Sequence, residues 1–249
     1  KVDKLTKRVT NQFAQSVDRY AAMEDLMKLA ASSGDKADKL APGTEEREAL
    51  ERKSDAAYVG LLKRFTMNAS KSIDDEEEKG WLYNRLSAVG KPMLRPILQF
   101  CKDADGIAWA LRILEDVANE REEWEIIDAL LELHPPVYER DASAKLQMLT
   151  HVKEIEDDRV RDILATYLDD PDENVRFFCI DALIDNGEEE SKGPLIKHLD
   201  TADQDSMRLR SRILDGLADL GWDVSEHADV IRKHIGDEHH FDGNKLTRR

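Results

Sequence analysis

Apolar side chains along this chain recur in steps of three and four residues, and the groups they form recur every thirty-odd residues. Val2, Leu5, Val9, Phe13, Val17, Tyr20, Met23, Leu26 and Met27 keep the short spacing, so one long amphipathic helix is predicted over 2–32, ended by Ser32-Ser33-Gly34. A polar connector then runs to Pro42-Gly43. Thr44 supplies an N-cap, and Glu45 and Glu46 suit the positive end of a second helix reaching about Ala69. That helix carries Leu50, Ala57, Leu61, Leu62 and Phe65 on one side. Ser70 to Glu78 reads as an acidic connector with a further capping signal, Ser72…Asp75.

Beyond residue 80 the helices fall into pairs. First helices align as Tyr83, Leu86 and Val89 with Leu111, Leu114 and Val117, then with Leu146, Leu149 and Val152. The next members are Ile180 with Leu183, and Leu214 with Leu217. Second helices align as Leu94, Leu98 and Cys101, then Ile126, Leu130 and Leu133, then Val160, Leu164 and Tyr167, then Leu195 and Leu199, with a fifth near Val230, Ile231 and Ile235. Pro135-Pro136 and Asp169-Asp170-Pro171-Asp172 break helices between pairs. No segment alternates with period two for long, so essentially no sheet is expected. A two-helix unit of this length cannot bury its apolar stripe alone, and stacking on neighbours solves that.

The stretch Asp170-Pro171-Asp172-Glu173-Asn174-Val175-Arg176, followed by Ile180, Ala182-Leu183 and Gly187, resembles HEAT repeats. It is most similar to the HEAT-like type first described in phycobilisome lyases. Leu209-Arg210 and Leu217…Gly221 keep the same frame 34 residues later, with Gly216 in place of the alanine. The match is clear over about 157–236 and weaker over 80–156, where no Val-Arg opens the first helices. The resemblance implies an all-α fold, a right-handed α-solenoid of about five HEAT-like hairpins. Residues 71–237 would form the repeat domain, 1–70 an N-terminal helical extension capping it, and 238–249 a polar tail. It also implies structural work for Asp172, Asn174, Arg176, Gly187, Arg210 and Gly221: capping, bonding to the adjoining turn and ending helices in the left-handed conformation. In such solenoids the second helices line the concave face, which would present Arg95, Gln99, Glu125, Asp128, Glu132, Arg161, Asp162, Lys197 and His198.

Charge alters the functional picture. The 249 residues carry a net −16, unevenly spread: residues 1–71 hold 14 Lys+Arg against 11 Asp+Glu, a net +3, whereas 72–249 hold 23 against 42, a net −19. An acidic repeat region repels phosphate backbones and attracts basic surfaces. Nucleic acid is therefore not an expected partner, and a protein with a basic patch or helix is. Cys101 and Cys179, the two cysteines, fall on apolar stripes of different repeats, as buried reduced thiols do. No apolar run approaches the ~18 residues of a membrane span, no signal-peptide pattern opens the chain, and the cytoplasm is the expected compartment.

Candidate chemistry is sparse. Glu238-His239-His240-Phe241-Asp242 is the densest run of metal-ligand types, but neighbours in sequence point apart, so a solvated stretch is expected. Di-iron hydroxylases among HEAT-like proteins use His-Glu dipeptides, and this sequence has none. DNA glycosylases built on such solenoids need a basic, aromatic-lined groove; the acidic excess opposes that, and Trp81, Trp109, Trp124 and Trp222 are expected to pack between repeats. Nothing marks a bilin site. There is no phosphate loop, nucleophile elbow or Cys-x-x-Cys. The expectation is a non-catalytic scaffold or adaptor with no metal or cofactor, using a curved acidic repeat surface. The alternative is a lyase-type or enzyme-maturation subunit acting on a partner protein. Oligomeric state stays open.

Overall fold

In the computed structural model, which describes residues 1–201 and 206–249, thirteen α-helices follow one another through short turns, with one two-stranded hairpin among the described residues. They gather into two units, Lys1–Leu133 and His134–Arg249.

The first unit holds α1 (Val2–Val9), α2 (Ser16–Ala37), α3 (Glu45–Leu62), α4 (Ser72–Ser87), α5 (Leu94–Cys101), α6 (Ala108–Val117) and α7 (Glu120–Leu133). α1, α2 and α3 pack on one another; onward, α3 meets α5 and α5 meets α7 in one layer, while α4 meets α6 in the other. Leu26, Leu61, Leu82, Leu86, Ile97, Ile113 and Ile127 fill the space between layers with no exposure to solvent. The expected long helix over 2–32 is two helices. The Asn11 side chain accepts the Phe13 N–H, and the Arg19 guanidinium donates to the carbonyls of Asn11 and Ala14, which holds the chain in a turn there. α2 then runs past Ser33-Gly34 to Ala37, because buried Ser33 and Gly34 face α3, where Ser54 Oγ donates to the Ala30 carbonyl at 3.0 Å. Thr44 caps α3, accepting from Arg47 N at 3.3 Å.

A buried ionic network ties this unit together. Glu78 of α4 receives Arg19 Nε at 2.8 Å, Arg64 Nε at 3.0 Å and Ser16 Oγ at 2.7 Å. Asp75, one turn earlier, receives Arg64 at 2.7 Å, Lys79 at 2.7 Å and the Ala69 N–H at 2.8 Å. Asp75 therefore turns inward and does not cap α4 with Ser72. Burial alone pushes the Glu78 carboxyl up, but hydrogen bonds from Arg19, Ser16 and Arg64 outweigh it, and the group titrates below its ordinary range. Asp75 is likewise pushed up by burial and brought down further by Lys79, Ala69 N and Arg64.

The second unit holds α8 (Ser143–Lys153), α9 (Arg159–Thr166), α10 (Glu173–Asn186), α11 (Lys192–Thr201), α12 (Met207–Leu220) and α13 (Ala228–His234). Met148, Leu149, Leu164, Cys179, Ile180, Leu183, Leu195 and Ile231 form its core. Asp172 caps α10, accepting from the N–H groups of Asn174 and Val175, and Arg176 donates to the carbonyls of Asp170 and Pro171 at 2.7 and 2.9 Å. Gly187 (φ 67°) and Gly221 (φ 61°) end α10 and α12 in the left-handed conformation. Lys145 of α8 is buried against Asp170 at 2.7 Å and Glu139 at 3.2 Å, and donates to the Val137 carbonyl at 2.8 Å. Between first helices, Arg212 reaches Asp181 at 2.7 Å and Lys153 reaches Asp185 at 3.0 Å, so their outward charges join successive hairpins.

Residues 238–249 do not form a polar tail. β1 (His239–Phe241) pairs antiparallel with β2 (Leu246–Arg248), His239 opposite Arg248 and Phe241 opposite Leu246. Buried His239 meets Asp215 of α12 at 2.9 Å, Leu246 is buried, and the Val224 N–H donates to the Asn244 carbonyl at 2.8 Å. Period-two patterning cannot reveal strands of three residues, and the buried imidazole overrides the solvated placement expected for 238–242.

Replacing Glu78 by Gln is expected to destabilise the chain by about 3–5 kcal/mol, since buried Arg19 loses its counter-charge and buried Arg64 is left with Asp75 alone. The depressed pKa adds stability that is present above the ordinary value of 4.5 and lost as the pH falls below it, so Glu78→Gln should also flatten the acid limb of a urea-unfolding series. Gly216 packs directly beneath Ile184, and a Cβ there would overlap Ile184 Cδ1. Gly216→Ala should cost about 1–3 kcal/mol despite the better helix propensity of alanine. Its double mutant with Ile184→Ala should cost less than the sum of the two singles in the same assay.

Candidate binding surface

The second helices carry most of the residues the repeat pattern assigns to an interaction face, and they differ between units. In the first unit Arg95 of α5 is exposed and reaches back to α3, lying 3.3 Å from both Glu51 and Asp55. Asp55 is pushed up by burial, with Arg95 opposing. Gln99 is exposed and lines a hollow of about 580 Å³ with Phe65, Phe100 and Asp103. α7 is strongly acidic: Glu120, Glu122, Glu123, Glu125, Asp128 and Glu132 accompany a single arginine, Arg121. Glu125 and Glu132 are exposed and Asp128 is half-buried. Glu122 is bound by Lys91 at 2.7 Å and by the Asn119 N–H at 3.0 Å, which hold its pKa down, so it belongs to the scaffold. Cys101 lies in this core, its thiol pushed up to about 12 by burial.

The second unit is different. On α9, Arg161 meets Asp162 at 3.0 Å and Glu188 at 3.3 Å, and Arg159 is exposed beside them. On α11, Lys197 is exposed. His198 is not outward: it is 6% exposed, and neither ring nitrogen has a hydrogen-bond partner. The step from Lys197 to His198 turns 100° around the helix and carries the imidazole from the solvent side to the packed side. Burial lowers its pKa, Arg176 adds to that, and Asp169 opposes. The second helices of this unit are thus not uniformly acidic.

Its acidic surface is gathered elsewhere. The turn between α8 and α9 supplies Glu154, Glu156, Asp157 and Asp158, which with Glu188 line an open hollow of about 670 Å³. Asp157 is partly committed, accepting the Arg159 N–H at 2.7 Å. Sequence periodicity passes over this feature because turns carry no helical phase; the run Glu154…Asp158 was the available signal. The motif residues Asp172, Asn174, Arg176, Gly187, Arg210 and Gly221 lie on α10, α12 and their ends, and the bonds given above are internal to the repeats. Asn174 also accepts from Arg208 at 3.4 Å. Trp124 is buried, and Trp81, Trp109 and Trp222 are half-buried. Among the described residues no group of three or more His, Cys, Asp or Glu is arranged to hold a metal ion, and no helix is long and apolar enough to cross a membrane.

Residues 125–214 match the family model for HEAT repeats. This segment carries HEAT repeats. The matched segment runs from the acidic helix α7 into α12 and takes in the Asp172 cap, Arg176 and Gly187. No curated protein and no solved structure matches the chain, so the particular likeness to phycobilisome lyases has no support beyond the motif. HEAT repeats stack helical hairpins and commonly present extended surfaces to other proteins.

Because the folded state holds His198 neutral, stability should fall as the pH drops below its ordinary value of 6.5 toward the depressed one. His198→Leu is expected to remove that loss and to raise stability at neutral pH by about 1–2 kcal/mol, since two unpaired nitrogens leave the core. Denaturant unfolding between pH 5 and 8 (about the histidine range) checks both.

Proposed function

We propose that this HEAT-repeat chain is a non-catalytic scaffold that binds a basic surface of another protein. The acid-rich exposed side of α7 supports this most directly, since Glu125 and Glu132 stand free of scaffold duty apart from Arg121, 3.3 Å from Glu125. The acid-lined hollow at the α8–α9 turn supplies a second anionic surface within the repeats. Carboxylates so placed steer a cationic partner and select against anionic ones, nucleic acid included. Both thiols are buried, and burial pushes their pKa upward, which disfavours nucleophilic use.

Two charge reversals test this separately: Glu125→Lys with Glu132→Lys on α7, and Glu154→Lys with Glu156→Lys at the turn. Proteins captured by the full chain should be basic at the contact, should dissociate as salt is raised, and should be lost about tenfold in at least one double variant. Capture unchanged by both variants, or capture of nucleic acid alone, would refute it.

A further inference from the structure

The first helices of the N-terminal unit leave a groove that nothing in the unit fills. α2 and α4 run in the same direction, their register set by two contacts, Ser16 with Glu78 and Tyr20 edge-on to Trp81 at 5.2 Å; further along, Met27 and Arg85 line one hollow. Between the last two levels lies a hollow of about 280 Å³ lined by Glu24, Met27, Lys28, Trp81 and Arg85. Toward the N-terminal ends of the helices three large apolar side chains stand exposed. Phe13 (83% exposed) leads into α2, Val17 (67%) lies in its first turn, and Ile73 (72%) lies in the first turn of α4. Large apolar side chains so exposed mark interaction surfaces when they gather.

The charges around this strip are ordered. At the Val17 end stand Asp18, Asp74, Glu76 and Glu77, none with an ion-pair partner among the described residues, while the neighbouring Asp75 and Glu78 turn inward to Arg19, Arg64 and Lys79. Tyr20 titrates high, through burial first and then Glu78, with Glu77 and Asp74 adding to it and Arg64 opposing. At the other end are two cations: Arg85, 5.4 Å from the Trp81 ring centre, and Lys28, loosely paired with Glu24 at 4.0 Å. The strip is therefore anionic where α2 and α4 begin, and further along Arg85 and Lys28 against Glu24 leave it one positive charge in excess.

We infer that the α2–α4 groove is a docking site for an amphipathic helix of a partner protein, running antiparallel to α2 and α4 with a basic C-terminal end and an acidic N-terminal end. Such a helix sets its apolar stripe on Phe13, Val17, Ile73 and Trp81, its basic end against Asp74 and Glu77, and its acidic end against Lys28 and Arg85. The order is also the one that helices favour within themselves, acids at the start and bases at the end, and the docking mode is that of a helix laid in a groove. This surface lies on first helices and so stands apart from the second-helix and turn surfaces proposed above; variants at one leave the other intact.

Two synthetic peptides of equal composition form the test, both with apolar residues at i, i+3, i+4 and i+7. One is acidic first and basic last, the other reversed. The full chain should bind the first at least about tenfold more tightly than the second, with affinity falling as salt rises. Glu76→Lys with Glu77→Lys, both exposed, should cut that preference to below about threefold while the circular dichroism spectrum stays helical, and Trp81→Ala should weaken both peptides. Equal binding of the two, binding of neither, or a preference untouched by the charge reversal would overturn it. So would a dimer in sedimentation that Val17→Asp dissolves, since a second copy would then be the occupant.

Discussion

A helical hairpin has more apolar surface than its two helices can hide from water, and this surplus governs the molecule. In the second unit, Leu183 of α10 and Leu217 of α12 have essentially no exposure because each hairpin lends a wall to the next. No single hairpin has an interior of its own, so every loop and cap has the task of presenting a stripe at the angle its neighbour needs. The Asp172 cap and the left-handed glycines at 187 and 221 serve that geometry.

Apolar stacking is forgiving about register, and buried charge is not. Each unit contains a buried ionic cluster that ties together elements distant in sequence. In the first, Glu78 collects guanidinium groups from α2 and from the turn after α3. In the second, Lys145 of α8 holds Asp170 in the turn before α10, and Asp170 in turn accepts the Asp172 N–H at 2.8 Å. Tyr167, whose hydroxyl donates to the His134 carbonyl at 2.7 Å, closes the same region. Sliding one helix past another by a turn would strand these charges, which makes the clusters devices of specificity.

The helical pairs were legible because each signal is local. Steps of three and four reveal a stripe, Pro135-Pro136 reveals a break, and Asp172 with Gly187 brackets α10. What escaped was set by distant partners. Asn11 to Gln15 look helical until Arg19 and Glu78, 59 residues apart, pull the turn into place. His239 looks solvated until Asp215 receives it. On the candidate surface the pattern placed Glu125 and Glu132 at exposed positions of α7 but set His198 outward, since a one-residue error of phase is invisible when both neighbours are polar. The α2–α4 groove was not legible at all; it depends on how two helices more than thirty residues apart pack side by side, which no local pattern records.

Gly216 carries one further implication. It stands where the repeat motif has alanine, and Ile184 of the preceding first helix occupies the room a methyl group would take. α10 and α12 are therefore cut to fit each other, knob to notch, and are not interchangeable bricks. Duplicating, deleting or reordering hairpins in this array would bring ill-matched surfaces together even though every hairpin kept its own motif, so the order of repeats along the chain is itself encoded information.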